Sequence, residues 1–168
     1  MITVKSSSGF LGLNKEINSK NKVVIIPFGL ENTVSFEGGT RFGPKKIIKA
    51  SHQVELFDEE LKQETYKKFN LKTLREVKIK KNLSQALGQL TKIVSQTIIL
   101  KYFPLIIGGE HSITPAIIKS FKKNYSKLTI IQIDAHADLR NHYLGNKNSH
   151  ACAMRRCLDF KNVNIIGI

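Results

Sequence analysis

The segment Asp134-Ala135-His136-Ala137-Asp138 carries two carboxylates and one imidazole at alternate positions. Side chains at i, i+2 and i+4 of an extended chain project to the same side, so this spacing would bring the three groups together. Carboxylate oxygens combined with an imidazole nitrogen suit Mn²⁺, and they suit Zn²⁺ or Fe²⁺ less well. The spacing indicates a divalent-metal site, and a loop with a solvated histidine is the alternative interpretation.

A second histidine follows another apolar run. His111 comes shortly after Phe103–Ile107, across the pair Gly108-Gly109, which permits backbone geometry that a Cβ atom would forbid. Open α/β sheets hold their ligands at the carboxyl ends of their strands. We therefore expect His111 to lie near Asp134, His136 and Asp138, with one carboxylate able to bridge two ions.

Apolar runs and helical periodicity predict the elements that position these residues. Strands are predicted at 23–28, 103–107, 128–133 and 163–168, with a short edge strand at 53–57. Helices are predicted to begin at Pro44, to span 83–100, to begin at Thr114-Pro115 with Thr114 as the N-cap, and to span 150–158. Strands that alternate with helices predict a parallel α/β sheet with right-handed crossovers.

Length and composition are typical of one globular domain. The chain has 168 residues, of which 41% are hydrophobic and 24% charged. No apolar run reaches membrane-spanning length, and no signal peptide is evident. Cys152 and Cys157 form no Cys-x-x-Cys pair, which favours reduced thiols in a cytoplasmic protein.

The net charge of +14 raises the question of nucleic-acid binding. The lysines are scattered over predicted helix faces and loops, and no nucleic-acid module or row of stacking aromatics accompanies them. We interpret the charge as a solvated surface. The alternative, binding to DNA, predicts a steep salt dependence of association.

The glycine–histidine and aspartate motifs resemble those of a known family. Residues 108–112 (Gly-Gly-Glu-His-Ser) and 134–138 look like the first two metal motifs of the ureohydrolases, the arginases and agmatinases. Residues 39–44 (Gly-Thr-Arg-Phe-Gly-Pro) resemble an early family segment, and residues 149–156 resemble the agmatinase branch more than the arginases. The likeness runs from about Phe28 to the last residue.

The resemblance implies a three-layer α/β/α sandwich with a central parallel sheet, of which residues 1–168 form the N-terminal part of a single domain, truncated at the C-terminus. It implies a homo-oligomer in the full-length form. It also implies a hydrolase with two manganese ions, in which a metal-bridging hydroxide attacks the guanidinium carbon. Agmatine is the expected substrate, and putrescine and urea are the products.

The resemblance also implies roles for individual residues. His111 and Asp138 would bind one ion, His136 the other, and Asp134 would bridge the two. His150 matches a histidine thought to shuttle protons near the leaving amine, and histidine is the side chain best suited to carry a proton near neutral pH. On position alone, Asn148 and Ser149 are expected on the substrate side of the pocket. The remaining histidines, His52 and His142, are expected at the surface.

The sequence departs from the family in ways that affect function. The third metal motif, an Asp-x-Asp, and a downstream glutamate are absent, and Asn141 stands where many agmatinase-like sequences have an acidic residue. Two divalent ions bring +4, whereas Asp134 and Asp138 bring only −2, so we expect the chain alone to bind one ion weakly. The alternatives are an inactive truncated protein, or an arginase, guanidinobutyrase or formiminoglutamase. A truncated sheet would also leave an unpaired strand edge.

Overall fold

Five parallel strands form two separate sheets. The computed structural model describes residues 1–168. In the first sheet, β1 (Lys22–Phe28) lies between β2 (Asn70–Thr73) and β3 (Phe103–Gly108). In the second sheet, β4 (Leu128–Gln132) pairs with β5 (Val163–Gly167). The strands predicted from apolar runs are confirmed, except for the one at 53–57.

Four helices connect or flank these strands: α1 (Gly43–Ala50), α2 (Leu83–Ile99), α3 (Thr114–Lys122) and α4 (Ala153–Leu158). Short 3₁₀ turns precede two of them, at His111–Ile113 before α3 and at His150–Cys152 before α4. The predicted helices are confirmed, with α2 matching its three- and four-residue apolar spacing closely. Asn82 caps α2 through its side chain, which accepts a hydrogen bond from the Gln85 backbone N–H at 3.1 Å.

The main core lies between the first sheet and α2. Alternate residues of β1 point to this face, and they pack against an apolar stripe of α2 and one residue of α3. The buried members include Val24, Ile26, Phe28, Ala86, Leu90, Val94 and Ala116. Ile25 points to the opposite face and is also buried, and α1 contacts β1 and β3 without joining this core. A parallel sheet flanked by helices is the α/β sandwich that the sequence predicts.

The helices hold the two sheets together. α3 connects β3 to β4 and packs against both α2 and α4. Ser120 of α3 donates a hydrogen bond to the Thr91 carbonyl of α2 at 2.9 Å, and Thr91 donates to the Ala116 carbonyl at 3.2 Å. No backbone hydrogen bonds pair β3 with β4. The relative position of the two sheets therefore depends on helix packing.

Two local predictions are wrong, and one strand was not predicted. Residues 53–57 form no strand, because the chain continues from α1 into a 3₁₀ turn at Ser51–Gln53 and then an irregular loop. β2 escapes prediction because its four residues show no clear alternation. Thr114 is not an N-cap, since the 3₁₀ turn before α3 runs directly into it and leaves Ile113 at the cap position. None of the helices combines the length and hydropathy needed to cross a bilayer.

Candidate metal centre

Three potential metal ligands converge where β3 and β4 end. Ligand atoms of His111, Asp134 and Asp138 all lie within 4.8 Å of one another. The Nδ1 atom of His111 is 2.6 Å from Asp138 Oδ2 and 3.6 Å from Asp134 Oδ2. Ligands that share one ion at about 2.0–2.2 Å lie up to ~4.4 Å apart, so this cluster has nearly the dimensions of a metal site. Its carboxylate and imidazole donors fit manganese.

The position of His111 depends on a close backbone contact. After β3, the Gly109 N–H donates to the Phe28 carbonyl at 3.2 Å, and the Glu110 N–H donates to the Leu30 carbonyl at 3.1 Å. A Cβ atom on Gly109 would lie 2.1 Å from the Leu30 carbonyl oxygen. Only glycine fits there, and the contact fixes the turn that delivers His111 to the site.

The segment after β4 is a turn, not an extended strand. Asp138 has a φ angle of 47°, in the left-handed region that aspartate tolerates better than most residues. Its carbonyl accepts hydrogen bonds from the Met154 and Arg155 N–H groups at 3.1 and 3.2 Å, which ties the turn to the start of α4. The expectation that an extended backbone aligns residues 134, 136 and 138 is therefore wrong. Asp134 and Asp138 meet because the chain turns back.

His136 lies outside the three-residue cluster, and 81% of its side chain is exposed. Its Nδ1 atom is nevertheless 3.4 Å from Asp134 Oδ1, while the other oxygen of Asp134 faces His111. The Asp134 carboxylate thus has one imidazole beside each of its oxygens. This is the arrangement that a carboxylate shared between two ions would need.

Asp134 is held in its charged form. Its Oδ1 atom accepts a hydrogen bond from the His136 backbone N–H at 2.8 Å, and this bond is the largest cause of a lowered pKa. The Gln132 side chain and the neighbouring imidazoles lower the pKa further, against a partial desolvation that raises it. A charged carboxylate at neutral pH is the form that binds a cation.

A buried carboxylate behind the cluster organises the surrounding loop. Glu110 is only 6% exposed, and it accepts hydrogen bonds from the backbone N–H groups of Asn32 and Thr33 and from the hydroxyls of Thr33 and Ser112. The Thr33 hydroxyl oxygen in turn lies 3.0 Å from the His150 backbone nitrogen and 3.2 Å from His150 Nδ1. Neither Glu110 nor Thr33 is among the site residues predicted from the sequence. The position of Glu110 beside His111 in the glycine motif could have indicated that it belongs to the site. In contrast, nothing in the sequence links Thr33 to His150, which lies 117 positions away.

A cleft of about 520 Å³ opens onto the cluster. His150 lines it, with the Tyr143 ring edge-on at 5.6 Å, and the guanidinium of Arg140 lies 5.2 Å from the Tyr143 ring. The cleft wall does not include Asn148 or Ser149. Ser149 is buried behind His150, with its Oγ atom 3.4 Å from His150 Nδ1, and the Asn148 N–H donates to the Asn146 side chain.

The other two histidines lie apart from the cleft. His52 Nε2 is 2.7 Å from the Gly9 carbonyl, at the N-terminal segment, and His142 is exposed. Neither belongs to a group of converging ligands.

Comparison with known proteins gives consistent results. A family model described as the arginase family matches residues 21–168. The chain is 33% identical over 144 residues to the N(1)-aminopropylagmatine ureohydrolase of Synechocystis, covering 82% of this chain and 47% of that protein. It is 34% identical over 161 residues to the agmatinase of Bacillus cereus, covering 89% of this chain and 52% of that protein. The chain spans about half the length of these curated relatives.

Solved structures share the fold. The agmatine ureohydrolase of Thermoplasma volcanium matches with a TM-score of 0.74 at 25% identity, over 99% of this chain and 62% of that one. The proclavaminate amidino hydrolase of Streptomyces clavuligerus matches with a TM-score of 0.82 at 22% identity, over 100% of this chain and 56% of that one.

Proposed function

The chain belongs to the arginase family, and from this premise we propose that it forms the N-terminal part of a manganese hydrolase acting on guanidino compounds, with agmatine as the expected substrate. The convergence of His111, Asp134 and Asp138 carries the proposal. The names of the two relatives give agmatine and its N(1)-aminopropyl derivative as their substrates, which supports the choice of agmatine.

In this proposal His111 and Asp138 would hold one manganese ion, His136 would hold a second, and Asp134 would contribute to both. When bound, two manganese ions would lower the pKa of water that they share and make a nucleophile available near neutral pH. The chain alone offers two carboxylates against four positive charges, so the complete site needs further carboxylates. We therefore expect the 168-residue chain by itself to bind no more than one ion.

His150 is the proposed proton carrier, and its surroundings suggest which nitrogen acts. The Thr33 hydroxyl can donate its only proton to Glu110, which as a carboxylate is an acceptor. The hydroxyl oxygen then accepts from both the backbone N–H and the Nδ1–H of His150. This assignment leaves Nε2 of the neutral ring unprotonated. In the complete enzyme, Nε2 would receive a proton in the cleft and pass it to the leaving amine.

Asn148 and Ser149 remain candidates for the substrate side of the pocket, and Ser149 lies directly behind His150, with its Oγ atom 3.4 Å from His150 Nδ1. Residues 1–168 are proposed as one part of a single domain whose full-length form is a homo-oligomer. A cytoplasmic location is also proposed, supported by two free, buried cysteines, Cys152 and Cys157.

Manganese titration of the isolated chain tests the proposal. We expect one weak site per chain and a rise in melting temperature with manganese, because a ligand of the native state stabilises it, by about 2.7 kcal/mol at a hundred times the Kd. Two tight sites with turnover of agmatine would contradict the incomplete site. No manganese-dependent stabilisation would favour the second candidate, an inactive family member.

Substrate identity needs the complete enzyme. Urea release from agmatine, arginine and guanidinobutyrate would separate agmatinase, arginase and guanidinobutyrase activities, and formamide release would reveal a formiminoglutamase.

A further inference from the structure

The segment that follows Asp138 has no apolar anchor of its own. Residues 139–141 all have exposed side chains, and the apolar one among them, Leu139, is 48% exposed. The Asp138 backbone itself lies in the left-handed region, with a φ angle of 47°. A conformation of this kind costs free energy and persists only where the surrounding structure enforces it. Polar contacts must therefore hold this turn, because burial does not.

Three contacts join the segment to α4 and to the turn before it. Two use backbone atoms alone. The Asp138 carbonyl accepts from two N–H groups in the first turn of α4, and the Arg140 N–H donates to the Ala151 carbonyl at 3.2 Å. The third contact uses side chains, since Arg156 Nη2 donates to Asn141 Oδ1 at 2.8 Å. Only the third contact depends on which side chains the sequence provides.

The guanidinium of Arg156 is itself held in place. Only 17% of the side chain is exposed, and Nε lies 3.3 Å from Asp159 Oδ2, as an ion pair without hydrogen-bond geometry. Arg155 also pairs with Asp159, but 41% of its side chain is exposed, and its side-chain hydrogen bond goes to Asp159 alone. A largely buried guanidinium has given up most of its hydration, so the acceptor that Asn141 supplies matters to it.

We propose that Arg156 is a positioning residue for the metal centre and that it acts through Asn141. By holding Asn141, the guanidinium fixes the segment that follows Asp138 and keeps the Asp138 carboxylate against His111. The inference rests on the proposed manganese site, in which Asp138 is a ligand. It also gives position 141 a role: the Asn141 side chain bonds Arg156 and does not line the cleft, so it supports the site without contacting the substrate.

The first measurement needs no metal. Arg156→Met keeps a long side chain and loses the guanidinium. We expect the Arg140 amide hydrogen to exchange at least about fivefold faster, because local opening becomes easier, and the NMR signal of His111 Nδ1–H to shift as its bond to Asp138 loosens. Arg155→Met is the control, since it removes a guanidinium from the same helix and leaves its backbone N–H in place. We expect both signals to stay at their wild-type values in it.

The second measurement is a manganese titration of the same variants. We expect Arg156→Met to weaken binding by about threefold to tenfold, less than the roughly tenfold to hundredfold typical of residues that bond a metal ligand directly. Arg155→Met should weaken it by less than about twofold. Both variants lose one positive charge, so long-range electrostatics affect them alike. If the wild-type chain binds no manganese, the proposed function fails, and the metal-free signals still decide whether Arg156 positions the turn.

A mutant cycle separates this contact from a general effect on stability. Asn141→Leu removes the acceptor, and we expect it to match Arg156→Met, with the double variant no worse than either alone, because both changes remove one interaction. Asn141→Asp gives Arg156 a charged acceptor, and we expect slower exchange and manganese binding at least as tight as in the wild type. The same change in the Arg156→Met background should give no gain.

Three results would overturn the proposal. They are equal behaviour of Arg156→Met and Arg155→Met in exchange and titration, additive losses in the double variant, and a gain from Asn141→Asp that persists without Arg156. The last would assign the gain to charge near the ion. Asn141 is exposed, so we expect Asn141→Leu to fold as the wild type does, and it tests the contact even if Arg156→Met does not fold.

Discussion

The imidazole of His111 lies 2.6 Å from the Asp138 carboxylate, although the two residues are 27 positions apart and the whole of α3 lies between them. This hydrogen bond joins the ends of two strands that belong to different sheets. A metal ion held by both groups would take the place of this hydrogen bond, and we expect ion binding to weaken as the pH falls, because protons compete with the ion for the same ligand atoms.

The first prediction concerns this pair. His111→Ala removes one of three converging ligands. We expect the manganese affinity of the chain to fall by at least about tenfold, because replacing even a residue that only orients a metal ligand typically costs that much affinity. Titration calorimetry with manganese measures the loss. His142→Ala is the control, since His142 is exposed and belongs to no ligand cluster. Unchanged affinity in His111→Ala would remove His111 from the site.

The second prediction concerns Thr33. Thr33→Val keeps the shape of the side chain and removes the hydroxyl that links Glu110 to His150. We expect a stability loss of about 1–3 kcal/mol, because Glu110 and the His150 N–H each lose a partner. Nitrogen chemical shifts of His150 should also move away from the Nδ1–H tautomer. A tautomer that stays unchanged would show that Thr33 does not position the ring.

The third prediction compares two glycines. Gly109→Ala forces a Cβ atom against the Leu30 carbonyl, and we expect a loss of about 1–3 kcal/mol in the free energy of unfolding. Gly88→Ala lies in the exposed middle of α2, where an added Cβ meets nothing within 4 Å, and should stabilise the chain by about 1 kcal/mol. Urea denaturation measures both changes. Equal effects of the two substitutions would contradict the close approach at Gly109.

The fourth prediction concerns acid stability. Backbone N–H groups of Gly39 and Arg41 bind the Glu31 carboxylate and hold its pKa below the ordinary value of 4.5. A lowered folded pKa means that this contribution to stability is fully present above pH 4.5 and is lost as the pH falls through the lowered value.

The test follows unfolding of the wild type and of Glu31→Gln between pH 7 and pH 3. The variant should be less stable than the wild type at pH 7, and the difference should shrink towards pH 3. Glu37→Gln, at an exposed position in the same loop, is the control. A difference between Glu31→Gln and wild type that stays constant with pH would rule out this cause.

The sequence predicted most regular elements because their cause is local. The apolar run of β1 and the spacing of α2 each appear within one stretch of chain, and the family motifs identify the fold. β2 is different, because four residues with weak patterning become a strand only through pairing with β1. Its existence depends on the tertiary structure.

The candidate site was predictable in its residue types and not in its geometry. The sequence indicates that His111, Asp134 and Asp138 belong together, and it misleads about how, since Asp138 reaches the cluster through a left-handed turn. The link from Glu110 through Thr33 to His150 joins positions far apart in the chain, and each hydrogen bond in it exists only after folding.

The connection of the two sheets through α3 has a consequence for how tightly the site can grip an ion. No β-ladder hydrogen bonds join the sheet that carries His111 to the sheet that carries Asp134. The distance between these two ligands therefore depends on how α3 packs against α2. Ser120 and Thr91 form hydrogen bonds between α3 and α2. A substitution at either residue would then change the affinity for the ion without touching a ligand.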